Sequence, residues 1–156
     1  MAQFNKITYN KSSSSVAIGA GCIFDEVYRD KGLIEAVQNI VGCNDTSVGV
    51  AGWLLNGGYS MMKTSRFGLG IDNVDAYRVV VPRGVNEDPQ LEIVQRNDVG
   101  YKQDLFWALK VTASRMPLVV FFLCAQLVQG GGNNFGVVTE FTLATHPQGP
   151  AYVSSS

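Results

Sequence analysis

Hydrophobic residues run along this chain in short bursts, broken by polar and glycine-rich stretches, and no helical stripe is sustained for long. Phe4, Ile7 and Tyr9 give a weak strand pattern, and the polar residues Ser12 to Ser15 predict a turn. Val16-Ala17-Ile18 stops at Gly19-Ala20-Gly21 and reads as a buried strand entering a turn. Phe24 to Lys31 fits one short amphipathic helix, with Phe24, Val27 and Tyr28 on one face and Gly32 as its stop. Ala36 to Val41 reads as a second short strand. From Val48 to Gly58 the recurring Gly49, Gly52, Gly57 and Gly58 predict a backbone that bends sharply or approaches something closely. Ala76 to Val81, rich in Val and Tyr, predicts a buried strand ended by Pro82-Arg83-Gly84, with Leu91 to Val94 as its hairpin partner. Gln103 to Lys110 predicts a short helix, and Phe135 to Ala144 a strand ended by Pro147. Short strands and helices without regular alternation argue for an α+β fold rather than a doubly wound sheet.

Composition narrows the picture. The 156 residues suit one domain or part of a larger one, and 46% hydrophobic with 16% charged residues is a globular balance. A net charge of −1 gives no electrostatic footprint for nucleic acid or an anionic membrane. The apolar stretch Pro117 to Val128 is shorter than the roughly 20 residues a spanning helix needs, and the first residues carry no apolar signal-peptide core. Cys22, Cys43 and Cys124 have neither the even count of a disulfide framework nor the spacing of a zinc site. Cys22 and Cys124 read as small buried or incidental residues and Cys43 as an ordinary loop cysteine.

Several motifs then fall in one order. They are Val16 to Gly21 with Val27-Tyr28, then Ser47-Val48-Gly49-Val50-Ala51-Gly52-Trp53-Leu54-Leu55-Asn56-Gly57-Gly58-Tyr59-Ser60, then Arg66 to Val74 (RFGLGIDNV). A last motif is split: Asp104 to Lys110 (DLFWALK) and Gly130 to Leu143 (GGGNNFGVVTEFTL) join into one string if the residues between are removed. This ordered set resembles the FAD-linked oxidases of the berberine-bridge-enzyme type, within the vanillyl-alcohol-oxidase/PCMH flavoproteins. The resemblance runs from about Phe4 to Gly149. It implies a mostly antiparallel sheet flanked by short helices, an incomplete second subdomain of a PCMH-type FAD-binding domain. It also implies FAD as cofactor and a small-molecule substrate for the intact enzyme. By resemblance, Val48, Gly49, Val50, Ala51 and Gly52 run beside the flavin and its diphosphate, with Gly57 and Gly58 in the same loop. Gly70, Asp72, Asn73 and Val74, together with Gly136, Val137 and Val138, are expected to border the adenosine half. The physical reading agrees, because glycine loops bring backbone N–H groups close to a diphosphate.

The pattern departs from the family in places. Asn56 stands where a third glycine is usual, and Cys43-Asn44 where Gly-Arg is more common. The Arg-x-x-Gly-His type segment of the first flavin subdomain is missing. The single histidine, His146, reads as a surface or strand-end residue. No acid, base or nucleophile stands out as catalytic. Val111 to Gln129, about 19 residues, interrupts the split motif. Val codons begin with GT and Gln can be encoded by CAG, so these ends are compatible with a spliceosomal intron of about 57 nucleotides read through in frame. That expectation implies a eukaryotic source and points to a fungal one. Residues 1–149 then form a partial FAD-binding domain and 150–156 a tail outside the family pattern. Three functions follow: part of an FAD-dependent, oxygen-using oxidoreductase; an inactive truncated or mispredicted product that binds no flavin; or an interaction module built on Val119 to Phe122.

Overall fold

A computed structural model describes residues 3–83, 87–110 and 135–149. Its centre is a five-stranded antiparallel sheet in the order β1-β2-β6-β4-β5. The strands are β1 (Ile7–Asn10), β2 (Ser15–Gly19), β4 (Val74–Val81), β5 (Gln90–Gln95) and β6 (Val137–Ala144). A separate pair joins β3 (Gln38–Asn39) to β7 (His146–Pro147). The α+β expectation holds: the sheet is antiparallel and its flanking helices are short.

One face of the sheet makes the core. Val16 and Ile18 of β2 face Leu143 and Phe141 of β6, and Tyr77 of β4 lies opposite Phe141 and Val94. These residues are buried, as are Leu105, Phe106 and Leu109 of helix α5 (Tyr101–Lys110). Tyr77 meets the rings of Phe106 and Phe141 at 5.3 and 5.7 Å in tilted and edge-on geometry, the arrangement ring quadrupoles favour. The period-two burial of β6 explains why its sequence reads as a strand.

The structure corrects four local readings. Phe24 to Lys31 is not one helix: α1 (Phe24–Tyr28) ends, and α2 (Lys31–Glu35) begins again from Asp30, whose carboxylate accepts the Leu33 amide at 3.1 Å. Gly32 therefore sits inside the first turn of α2 instead of stopping a helix, because an N-capping aspartate two residues earlier restarts the chain. The Ala36 to Val41 strand shrinks to β3, since Ala36 caps α2 and Val37 has φ +54°, a left-handed conformation that breaks any ladder. Residues 50–55, expected as part of a bending glycine loop, form helix α3 (Val50–Leu55). Its buried Val50, Leu54 and Leu55 overcome the low helix propensity of Gly52. Lastly, strand β6 begins at Val137, so Phe135 and Gly136 precede it. The proposed insert, Cys124, the Val119 to Phe122 run, residues 130–134 and the tail lie outside the described residues.

Candidate functional site

The predicted site residues lie on the segment from residue 48 to residue 74 and around the start of β6. Helix α3 stands on Cys22, whose carbonyl accepts the Val50 amide at 2.9 Å, while the Val48 carbonyl accepts the Phe24 amide at 3.1 Å. These bonds fix the approach to α3 against α1 and bury Val50, leaving Val48 and Ala51 half-buried. Gly49 and Gly52 are exposed, and a Cβ on either would meet nothing within 4 Å. Among the described residues, no hydrogen bond engages the amides of Gly49, Ala51 or Gly52. This edge presents bare backbone to open space.

The other glycines of the motif are used internally. A Cβ on Gly58 would lie 2.6 Å from the Trp53 ring, and one on Gly70 would lie 2.3 Å from it. The carbonyls of Gly58 and Gly57 accept the amides of Gly70 and Ile71 at 2.7 and 3.1 Å. Gly57 and Gly58 both take positive φ, 102° and 73°, which L side chains rarely adopt. The result is a slot of two glycines around the Trp53 indole, which also meets Phe24 edge-on at 5.0 Å.

The residues expected on the adenosine side are bound into the fold. Asp72 accepts the Leu69 amide at 3.1 Å and pairs with Lys110 at 3.3 Å, tying the 3-10 turn Gly70–Asn73 to the end of α5. The Arg96 guanidinium donates to the carbonyls of Asp72 and Val74 at 2.7 and 2.8 Å. Val74, Gly70 and Val138 are buried, whereas Val137 is exposed. Gly136 leaves room for the Val80 carbonyl, which an added Cβ would approach to 2.6 Å. Asn73 is buried and spends its whole amide: Nδ2 donates to the Phe67 and Leu69 carbonyls, and Oδ1 meets His146 Nε2 at 2.8 Å.

His146 is thus more than a strand-end residue. Because Asn73 Oδ1 only accepts, His146 Nε2 carries the proton. Its ring stacks on Phe67 with centroids 3.8 Å apart and planes 17° apart. Burial, then the charges of Lys63 and Arg66, push its pKa below the usual histidine value, so the ring is neutral at neutral pH. Sequence reading missed this contact because Asn73 and His146 lie 73 residues apart. It also missed Lys63. That ammonium donates to the Ile40 carbonyl at 2.7 Å, and burial drops its pKa to about 8. Among the described residues no group of His, Cys, Asp and Glu is arranged to hold a metal ion.

No family model matches the chain. An FAD-linked oxidoreductase of Epichloe festucae var. lolii is 34% identical over 145 residues, 92% of this chain and 19% of its own length. An FAD-dependent monooxygenase of Fusarium proliferatum is 32% identical over 97% of this chain and 24% of its own. Among solved structures, Physcomitrella patens BBE-like 1 superposes with TM-score 0.69 at 25% identity, over 94% of this chain and 26% of that one. The 6-hydroxy-D-nicotine oxidase of Arthrobacter nicotinovorans gives TM-score 0.67 at 26% identity, again over 94% of this chain and 26% of that one. This chain corresponds to a segment of the FAD-linked oxidases of the berberine-bridge-enzyme type. It spans about a fifth to a quarter of the length of the relatives it matches. The fold expected for such a segment, an antiparallel sheet with short helices, is the one observed.

Proposed function

We propose that this chain supplies one wall of the FAD site of an FAD-dependent oxidoreductase. The observation that carries the reading is the open edge at Gly49 and Gly52, where backbone without side chains faces free space and the amides of Gly49, Ala51 and Gly52 remain unengaged. That edge fits a flat ring or a diphosphate approaching at van der Waals distance, and the relatives named above are FAD-linked or FAD-dependent. Val48 to Gly52 would line the flavin side. Asp72 to Val74, with Gly136 to Val138, would shape the adenosine side through a backbone that Asn73, Arg96 and Lys110 hold in place. When bound, FAD would accept a hydride from a small-molecule substrate and pass the electrons to O2, while the protein orients the cofactor and excludes competing reactions.

The test is FAD binding to the purified chain, followed by quenching of flavin fluorescence. Wild type is expected to bind saturably. Gly52→Leu is expected to bind at least tenfold more weakly with unchanged thermal stability, since its side chain would project into the open edge. Saturable binding that Gly52→Leu leaves unchanged would remove Gly52 from the site. No binding by wild type would favour a non-flavin product. We also propose that Val111 to Gln129 is a retained intron, because removing it joins Lys110 to Gly130 and restores the split motif. Amplifying the transcript across these codons is expected to give a product shorter by about 57 nucleotides; a single product that retains them would refute this.

A further inference from the structure

We propose that the cavity between residues 39–46 and Ser60–Lys63 is a binding site for a small oxyanion, a carboxylate or a phosphate, with Lys63 as its counter-charge. The cavity holds about 320 Å³ and is lined by Asn39, Asn44, Thr46, Ser60 and Lys63 among others, with no Asp or Glu in its wall. Drug-sized sites begin near roughly 300 Å³, so the space suits a small ligand or one polar end of a larger one.

Two polar groups in the wall keep hydrogen-bonding capacity free among the described residues. Lys63 is half-buried, gives one hydrogen bond, to the Ile40 carbonyl, and makes no ion pair with a carboxylate among the described residues. Two of its three N–H donors are therefore free. Ser60 is 3% exposed, and its hydroxyl makes no hydrogen bond among the described residues; its amide and carbonyl are both taken by Thr64. A half-buried ammonium with no carboxylate beside it among the described residues is only partly compensated by water, and an anion in the cavity would complete its pairing. The surrounding charges sharpen the case. Arg66 lies over the Phe67 ring at 5.0 Å, and both Arg66 and Lys63 depress the pKa of His146, so this corner is electropositive. Asp45, the acid closest in sequence to the cavity wall, is exposed and holds the amide and hydroxyl of Ser47. An oxyanion between Lys63 and Ser60 would take up the free donors of both, while the amides of Asn39 and Asn44 and the hydroxyl of Thr46 offer further donors. This inference does not depend on the flavin reading, since its probes contain no flavin.

The experiment is calorimetric titration of the full chain with inorganic phosphate and, separately, with acetate, at ionic strength held constant with chloride. At least one probe is expected to bind saturably, and the tighter of the two identifies the source chemistry. Lys63→Met is expected to weaken binding at least tenfold and Ser60→Ala about threefold, with Lys102→Met unchanged. A measurement on wild type covers the case in which Lys63→Met fails to fold. Amine acetylation read by mass spectrometry should slow at least threefold at Lys63 when the tighter probe is present, and not at Lys102. Absence of binding by both probes, binding that is indifferent to Lys63→Met, or labelling of Lys63 that the bound probe does not slow would each overturn the proposal.

Discussion

Helix α3 separates two sets of glycines that read alike in the sequence. On one side Gly49 and Gly52 meet nothing within 4 Å of where a side chain would begin; on the other, Gly58 and Gly70 close on the Trp53 ring, at 2.6 and 2.3 Å. The first set leaves backbone bare for a ligand, and the second gives an indole a place in the fold. One motif therefore carries two physical demands, and a glycine's presence alone does not say which it serves. The difference lies in what stands opposite: solvent in one case, Trp53 in the other.

Substitutions can break this comparison, and the largest effect belongs to Gly58. With φ +73° and the Trp53 ring at 2.6 Å, Gly58→Ala adds left-handed strain to a steric clash. It is expected to cost about 2–4 kcal/mol in urea denaturation. Gly70→Ala has no conformational penalty of that kind and is expected to cost about 1–3 kcal/mol from overpacking alone. Combining it with Trp53→Leu should recover part of that loss in a double-mutant cycle; strict additivity would mean the indole is not what Gly70 makes room for. Gly52→Ala points the other way. It sits inside α3 with free space around it, so it is expected to stabilise by up to about 1 kcal/mol, the helix-propensity difference between the two residues. A clear loss of stability there would erase the contrast between the two sides.

The smallest effect concerns pH at Lys63, beyond the packed side. Its folded pKa, about 8, lies below the ordinary 10.5, so the unfolded chain holds the proton more tightly. The folded state is thus penalised below pH 8, and the penalty fades as pH rises from 8 to 10.5. Wild type should gain stability relative to Lys63→Met across that window, by a modest amount because the amine is half exposed. A flat difference between the two proteins would show that burial does not perturb this amine.

The sheet was largely legible. Val16-Ala17-Ile18, Ala76 to Val81 and Phe135 to Ala144 carry apolar runs bounded by Gly or Pro, and each gave its strand within a few residues. The hairpin of β4 with β5 was legible for the same reason. Helix α3 was hidden because Gly49 and Gly52 lower its propensity, while the tertiary burial of Val50, Leu54 and Leu55 that stabilises it leaves only a brief local signal. The restart at Asp30 was in principle readable, since an aspartate three residues before an apolar pair is an N-cap signal. Val37 in left-handed geometry had no signal at all, for a β-branched residue is a poor choice there. In the site, the glycine motif was visible but its division of labour was not. The Asn73–His146 contact and the Lys63 cavity join residues from distant segments, and only the fold brings them together.

The central claim is that the open edge at Gly49 and Gly52 is a cofactor wall while the Trp53 slot is structural. The most direct measurement is the FAD affinity of wild type, Gly52→Leu and Gly70→Ala, each with its stability determined in parallel. The account predicts that Gly52→Leu loses FAD affinity at least tenfold while keeping its stability, and that Gly70→Ala loses stability while its folded fraction binds FAD as wild type does. The opposite pattern, with affinity tracking Gly70 and indifferent to Gly52, would contradict it.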